Sequence, residues 1–305
     1  MNLETFIDPE LAAHVEESRR TNAERGVRRG PGNADELRSF RVAPAEDNTV
    51  VEARGRQVPV RILRPEGTPR GVYLDFHAGG FFMGSAAQDD ARNQRLANAV
   101  GAVVVSVDYR LAPEHPWPAA PDDAETAALW LLDQAEEQFG TDRLVIGGFS
   151  AGSTLVVTTL LRLRDRGEAG RVAGAVLQAG TYDMSGLTPA GRSIADEYFI
   201  EAYAGHVQDR TNPDISPVYG DLRGLPDFLM VVGDQDVILE DNLAMAARIV
   251  GAGGEVDLKI YPESRHGFTN RDNGMARAAW HDIEQWLMVR LSWTRFNSDQ
   301  HEVAT

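Results

Sequence analysis

The sequence contains no cysteine. That removes disulfides, thiol nucleophiles and cysteine-ligated metals, and fits a reducing compartment. Basic charge is scarce: 30 Lys and Arg stand against 46 Asp and Glu, giving a net charge of -16. Without clustered cations to displace counterions, nucleic acid and anionic membrane surfaces are poor partners. No uncharged apolar run reaches the ~18 residues of a membrane span. The first residues lack a basic stretch leading into an apolar one, so no signal peptide is expected. The seven histidines show no H-x-x-x-H spacing, which argues against a metal site. Together these absences predict a cytoplasmic protein without a cofactor.

What is present is apolar material for a large core, 43% of 305 residues. That length suggests two domains, but α/β folds often carry it on one core. Residues 1–46 are polar, with helical periodicity over 9–18 and a loop over 26–32. An antiparallel hairpin is expected at 49–54 and 58–63, broken by Gly55. Strands and helices then alternate, with strands expected at 71–76, 102–108, 143–149, 172–179, 227–233 and 255–261. The helices are expected at 88–100, 119–139, 151–166, 239–252 and 274–291. This rhythm implies a mostly parallel sheet with helices on both faces. Residues 182–220 interrupt it, with Tyr182, Tyr198, Phe199 and Tyr203 and an exit at Ser216-Pro217, and read as a lid. Residues 297–305 form a polar tail.

Gly148-Phe149-Ser150-Ala151-Gly152 lies between an apolar strand and a helix. A serine at such a corner, with glycine two before and two after, is a nucleophile elbow. Glycines are needed because side chains there would collide with the neighbouring strand and helix. A serine hydroxyl needs a base within hydrogen-bond reach and an acid to orient that base. In elbow folds these follow in the order Ser, Asp or Glu, His. Asp234, Asp236 and Asp241 compete for the acid after strand 227–233. Asp234 abuts the strand as a turn residue, and Asp241 is expected on the next helix, facing solvent or its first turn. Asp236 is therefore chosen. His266 follows the last strand and is assigned as the base. The loop His77-Ala78-Gly79-Gly80 ends strand 71–76, where Gly79 and Gly80 N–H groups, with that of Ala151, suit an oxyanion hole. His77 is expected to pin that loop. Phe81, Phe82, Phe149, Tyr182, Tyr198 and Ile238 are pocket candidates, with core packing the alternative for each.

These motifs resemble those of the bacterial hormone-sensitive-lipase-like (family IV) esterases of the α/β-hydrolase superfamily. Their His-Gly-Gly-Gly motif is similar to His77-Ala78-Gly79-Gly80. Their Tyr-Arg-Leu-Ala-Pro-Glu-x-Pro-x-Pro-Ala block is matched almost letter for letter from Tyr109 to Ala119. Their Gly-Asp-Ser-Ala-Gly-Gly elbow resembles 148–153, and their acid and His-Gly-Phe motifs map onto Asp236 and His266. The resemblance spans about residues 45–291. It implies an eight-stranded α/β-hydrolase core over 47–181 and 216–296, with a helical cap from 1–46 and 182–215. It further implies an acyl-enzyme route for short-chain acyl esters, no metal or other cofactor, and frequent homodimers. Two letters depart. Ala78 replaces the first glycine of the triplet, which leaves the donors Gly79 and Gly80 in place. Phe149 replaces the usual aspartate, and an aromatic there is expected to pack in the core or line the pocket without abolishing activity. The rival readings are lactone, carbamate or amide hydrolysis by the same triad, and a ligand-binding receptor on the same fold, as in plant gibberellin receptors, which have lost the histidine.

Overall fold

Eight strands form one sheet in the order β1-β2-β4-β3-β5-β6-β7-β8 in the computed structural model, which describes residues 6–25, 30–41, 45 and 47–292. The hairpin is β1 (Thr49–Ala53) and β2 (Arg56–Leu63), and β2 runs antiparallel to β4 (Val103–Val107). From β4 the sheet is parallel through β3 (Val72–Phe76), β5 (Leu144–Phe149), β6 (Val172–Gln178), β7 (Phe228–Gly233) and β8 (Val256–Tyr261). The middle strands are buried along their whole length, as the run Val-Val-Val-Ser-Val of β4 requires of a sheet covered on both faces. The loop expected at 26–32 lies in part, and the tail at 297–305 wholly, outside the described residues.

Strand alternation divides the core in two. Leu74, Ile146 and Leu177 face one layer, while Tyr73, Val145 and Val176 face the other. The chain supplies nine α-helices among the described residues. These are α1 (Val15–Arg25), α2 (Ala34–Phe40), α3 (Asp90–Val100), α4 (Ala119–Phe139), α5 (Ala151–Asp165), α6 (Pro189–Ser193), α7 (Tyr198–Ala204), α8 (Leu239–Gly251) and α9 (Gly274–Ser292). Leu129 of α4, Leu160 of α5 and Ile249 of α8 fill the first layer. Leu96 of α3 and Ile283 of α9 fill the second. Each such buried aliphatic side chain contributes about 1.5–3 kcal/mol. The long α4 stops at Gly140, whose φ of 73° makes the left-handed turn that ends a helix.

From residue 49 onward the expected strands and helices all form, to within two residues at each end, and 182–220 contains no strand; the helical stretch expected at 9–18 is instead a 3-10 turn over Pro9–His14 followed by α1, which runs on to Arg25. That segment carries α6 and α7. It is tied to the 109–119 block, where Trp117 N–H donates to Tyr203 O at 2.9 Å and Trp117 Nε1 donates to Asp214 Oδ2 at 2.9 Å. No described helix is long and apolar enough to cross a membrane.

Candidate active site

The strand-to-helix corner begins with a conformational requirement. Ser150 links β5 to α5 with φ 55° and ψ -118°, a backbone state that a side-chain-bearing residue rarely adopts. Its neighbours explain how it is held. A Cβ on Gly148 would lie 2.4 Å from the Gly152 carbonyl carbon, and one on Gly152 would lie 2.0 Å from Phe76 O. Ser150 N–H donates to Gln178 O at 2.8 Å. The buried Ser153 hydroxyl donates to Gly148 O at 2.7 Å and accepts from Gln178 N–H at 3.0 Å. The corner is thus pinned to β6 by serine and backbone alone.

Asp236 leaves the end of β7 and His266 leaves the end of β8. The Nδ1 of His266 lies 3.0 and 3.1 Å from the two carboxylate oxygens of Asp236, and its Nε2 lies 3.0 Å from Ser150 Oγ. The Asp236 side chain is wholly buried while that of His266 is 36% exposed. One end of the imidazole is therefore fixed in protein and the other open to a ligand. Asp236 also accepts from Ile238 N–H at 3.1 Å, which fixes the carboxylate from the start of α8.

On the other side of Ser150, the loop after β3 turns through Gly79, Gly80 and Phe81 at φ 131°, 59° and 63°. Gly79 O accepts from Met83 N–H at 2.8 Å, and a Cβ on Gly79 would lie 2.1 Å from Met83 O. His77 holds the loop as expected. Its ring lies 4.1 Å from that of Tyr109 at an interplanar angle of 10°, and Nδ1–H donates to Ala78 O at 2.7 Å. Burial pushes the imidazole below its usual range, so His77 stays neutral. Tyr109 closes the arrangement by donating its hydroxyl to His77 O at 2.8 Å. Ala151 opens α5, where the first N–H groups have no acceptor within the helix.

The competing aspartates have other partners. Asp234 accepts from Ser264 N–H at 3.2 Å. Asp241 is on the first turn of α8 but does not face solvent: it is 1% exposed and accepts from Tyr182 N–H at 2.5 Å and Asp183 N–H at 3.2 Å. Burial raises its carboxyl to about 6. The helix packs this face onto the 180–183 segment, a partner that helical periodicity does not reveal.

Phe149 reaches both expected destinations. It is 7% exposed, and its ring stacks on His266 with centroids 5.3 Å apart at 28°. Phe82 meets Tyr198 edge-on, with centroids 6.0 Å apart. Phe81 and Tyr182 are 0% exposed and belong to the core, which corrects the expectation that they line a pocket. Phe81 is taken up by stacking on Tyr203, with centroids 4.0 Å apart. Ile238 is buried beside Asp236. The residue that the sequence reading left out of the pocket is Phe199: a Cβ on Gly80 would sit 3.1 Å from Phe199 Cβ, so this half-buried aromatic lies over the glycine turn. Its place beside Tyr198 at the start of an aromatic helix was the available signal.

An elbow serine after β5, an acid after β7 and a histidine after β8 define the α/β-hydrolase class. Comparison with known proteins agrees, since the model of a family described as having the alpha/beta hydrolase fold matches residues 73–270. The chain is 33% identical over 259 residues to the Carboxylic ester hydrolase LipN of Mycobacterium tuberculosis, covering 77% of this chain and 68% of that one. It is 31% identical over 238 residues to the Ethyl acetate hydrolase of Pseudomonas putida, covering 73% and 74%. A solved Hormone-Sensitive Lipase from a metagenome library is 31% identical and superposes with a TM-score of 0.72 over 94% of this chain and 99% of that one. The chain belongs to the hormone-sensitive-lipase-like (family IV) esterases of the α/β-hydrolase superfamily.

Proposed function

We propose that the protein is a serine carboxylic ester hydrolase acting on short-chain acyl esters, with Ser150 as nucleophile, His266 as base and Asp236 as its orienting acid. The observation that carries this reading is the unbroken relay from carboxylate to imidazole to hydroxyl, each link 3.0–3.1 Å long. His266 Nε2 takes the Ser150 proton as Oγ attacks the ester carbonyl. Asp236 accepts from Nδ1–H and stabilises the imidazolium that forms. The N–H groups of Gly79, Gly80 and Ala151 receive the developing oxyanion. Collapse of the tetrahedral intermediate sends the imidazolium proton to the leaving alcohol and leaves an acyl-serine. Water, deprotonated by the same imidazole, then releases the acid and restores the serine.

Residues 1–46 and 182–215 serve in this reading as the cap that bounds the acyl and alcohol pockets. Phe199, Tyr198 and Phe82 make up an aromatic wall next to the glycine turn, which suits a small acyl group. The relatives include an enzyme named for ethyl acetate, which favours the same substrate class. A receptor function is disfavoured by the intact hydrogen bond from the Ser150 hydroxyl to His266 Nε2. Ser150→Ala should lower p-nitrophenyl butyrate turnover about 10⁴-fold or more, and turnover that survives this change would overturn the mechanism. Across p-nitrophenyl esters from acetate to palmitate, activity should fall beyond about eight carbons. A homodimer in the cytoplasm is the proposed working form, to be checked by sedimentation and by fractionation.

A further inference from the structure

The loop that carries His266 is fastened from outside the sheet, at Glu263. This residue holds φ 50°, a left-handed conformation that a side-chain-bearing residue keeps only where its surroundings impose it. The imposing groups are on α1. Glu263 O accepts from Ser18 Oγ at 2.5 Å and from Asn22 Nδ2 at 2.8 Å. The Glu263 carboxylate accepts from Arg19 Nε at 2.9 Å and from Gln235 Nε2. Gln235 immediately precedes Asp236, and its N–H donates to Ser264 O at 3.0 Å. One glutamate therefore joins the histidine loop, the aspartate loop and a helix more than 240 positions away in sequence.

The composition of α1 makes this contact unusual. Its sequence, Val-Glu-Glu-Ser-Arg-Arg-Thr-Asn-Ala-Glu-Arg, offers almost no apolar face, and so short a helix is marginal by itself. Yet Ser18 and Asn22 are 3% and 6% exposed. The helix docks through polar groups, and the seam continues as Asn22 Oδ1 accepts from Arg271 Nη1 at 2.9 Å and Glu17 Oε2 accepts from Gly274 N–H at 2.7 Å. Polar docking is directional where apolar packing is not, and it converges on the segment three residues before His266.

We propose that α1 is a positioning element for the acid–base pair: Ser18 and Asn22, acting through Glu263, hold the His266 loop at the height that keeps Nε2 within reach of Ser150. The proposal rests on the triad reading above. Misplacement of a catalytic group by about 1 Å can cost on the order of 100-fold in rate, so loss of one anchoring bond should be visible in turnover.

The test measures kcat and KM on p-nitrophenyl butyrate, the rate of fluorophosphonate labelling of Ser150, and the thermal midpoint, all per titrated serine. Asn22→Ala should lower kcat about tenfold or more with KM changed less than about twofold, and should slow labelling in parallel. Glu263→Gly removes the carboxylate bonds while relaxing the backbone, so the midpoint should hold or rise while kcat falls. Glu263→Gln, the mildest change, should give an intermediate kcat and keeps the question open to measurement if Asn22→Ala fails to fold. Glu24→Ala, on the exposed side of the same helix, should leave every value unchanged. If these Glu263 and Asn22 variants lose midpoint but retain kcat and labelling rate, α1 is scaffold only and the proposal is overturned. Loss of turnover in Ser150→Ala alongside unchanged Asn22 and Glu263 variants would sink the α1 proposal alone, whereas turnover surviving Ser150→Ala would sink the triad reading itself.

Discussion

Phe149 stands where the family usually has an aspartate, and its ring lies flat against the imidazole of the triad. The face of an aromatic ring attracts a cation, by about 0.5–2 kcal/mol where water is excluded. The attraction operates only when the histidine is protonated, as the proposed mechanism requires while the acyl group transfers. Phe149→Leu keeps the apolar volume and removes the face, so kcat should fall roughly 2- to 30-fold with little change in KM. Phe149→Tyr should restore most of the loss. Steady-state kinetics on a single p-nitrophenyl ester checks both. Gly79 makes a harder demand: at φ 131°, with an added Cβ 2.1 Å from Met83 O, alanine cannot be accommodated without moving the loop. Gly79→Ala should therefore lose about 100- to 1000-fold in kcat, the usual effect of removing one oxyanion donor, which is the role proposed for its N–H. Circular dichroism should show that the rest of the fold survives.

Among the elements, α8 joins catalysis to stability. Its first-turn Asp241 accepts the N–H groups of Tyr182 and Asp183, and Asn242 accepts from Gly180 N–H at 3.1 Å and donates to Gly180 O at 3.0 Å. The entrance to the 182–220 segment is thereby fixed to the helix that follows Asp236. Burial holds the Asp241 carboxyl at about 6, above the unfolded value of about 3.9. The folded state binds that proton more tightly. Its contribution to stability is complete below about pH 4 and is lost as pH rises through about 6, an effect on the order of 3 kcal/mol. Asp241→Asn cannot ionise and keeps an acceptor, so its urea midpoint should vary less than that of the native chain between about pH 4 and pH 7.5. The same helix marks the limit of what was legible beforehand. The alternation of apolar strand runs with helical stretches announced the sheet, and the places of Ser150, Asp236 and His266 after three of those strands announced the triad. The partners of Asp241, Phe199 and Glu263 were not legible, because each lies 50 or more positions away: Tyr182, Gly80 and Asn22. Periodicity within a segment carries no information about such partners. Phe81 and Tyr182 could not be assigned between pocket and core for the related reason that an aromatic in a loop can fill either.

At the scale of the whole molecule, the net charge of -16 gives the protein a negative overall field. Anionic esters should be repelled and cationic ones drawn in, over distances of about 10 Å at 0.1 M salt. Added salt should thus raise kcat/KM for a carboxylate-bearing ester, lower it for a choline-type ester and leave a neutral one unchanged, as stopped-flow kinetics over a salt series would show. The sheet order has a different implication. Gly79, Gly80, Ser150 and Ala151 all precede the turn at Gly167, whose φ of 80° falls between α5 and β6, while Asp236 and His266 both follow it. β5 and β6, which precede and follow that turn in the chain, are neighbours in the sheet. A chain severed there yields one fragment with the proposed nucleophile but no base, and another with the proposed base but nothing to activate. Neither piece can hydrolyse an ester by itself, so colour from a chromogenic ester would report reassembly of the two halves, making the molecule a candidate for a split reporter.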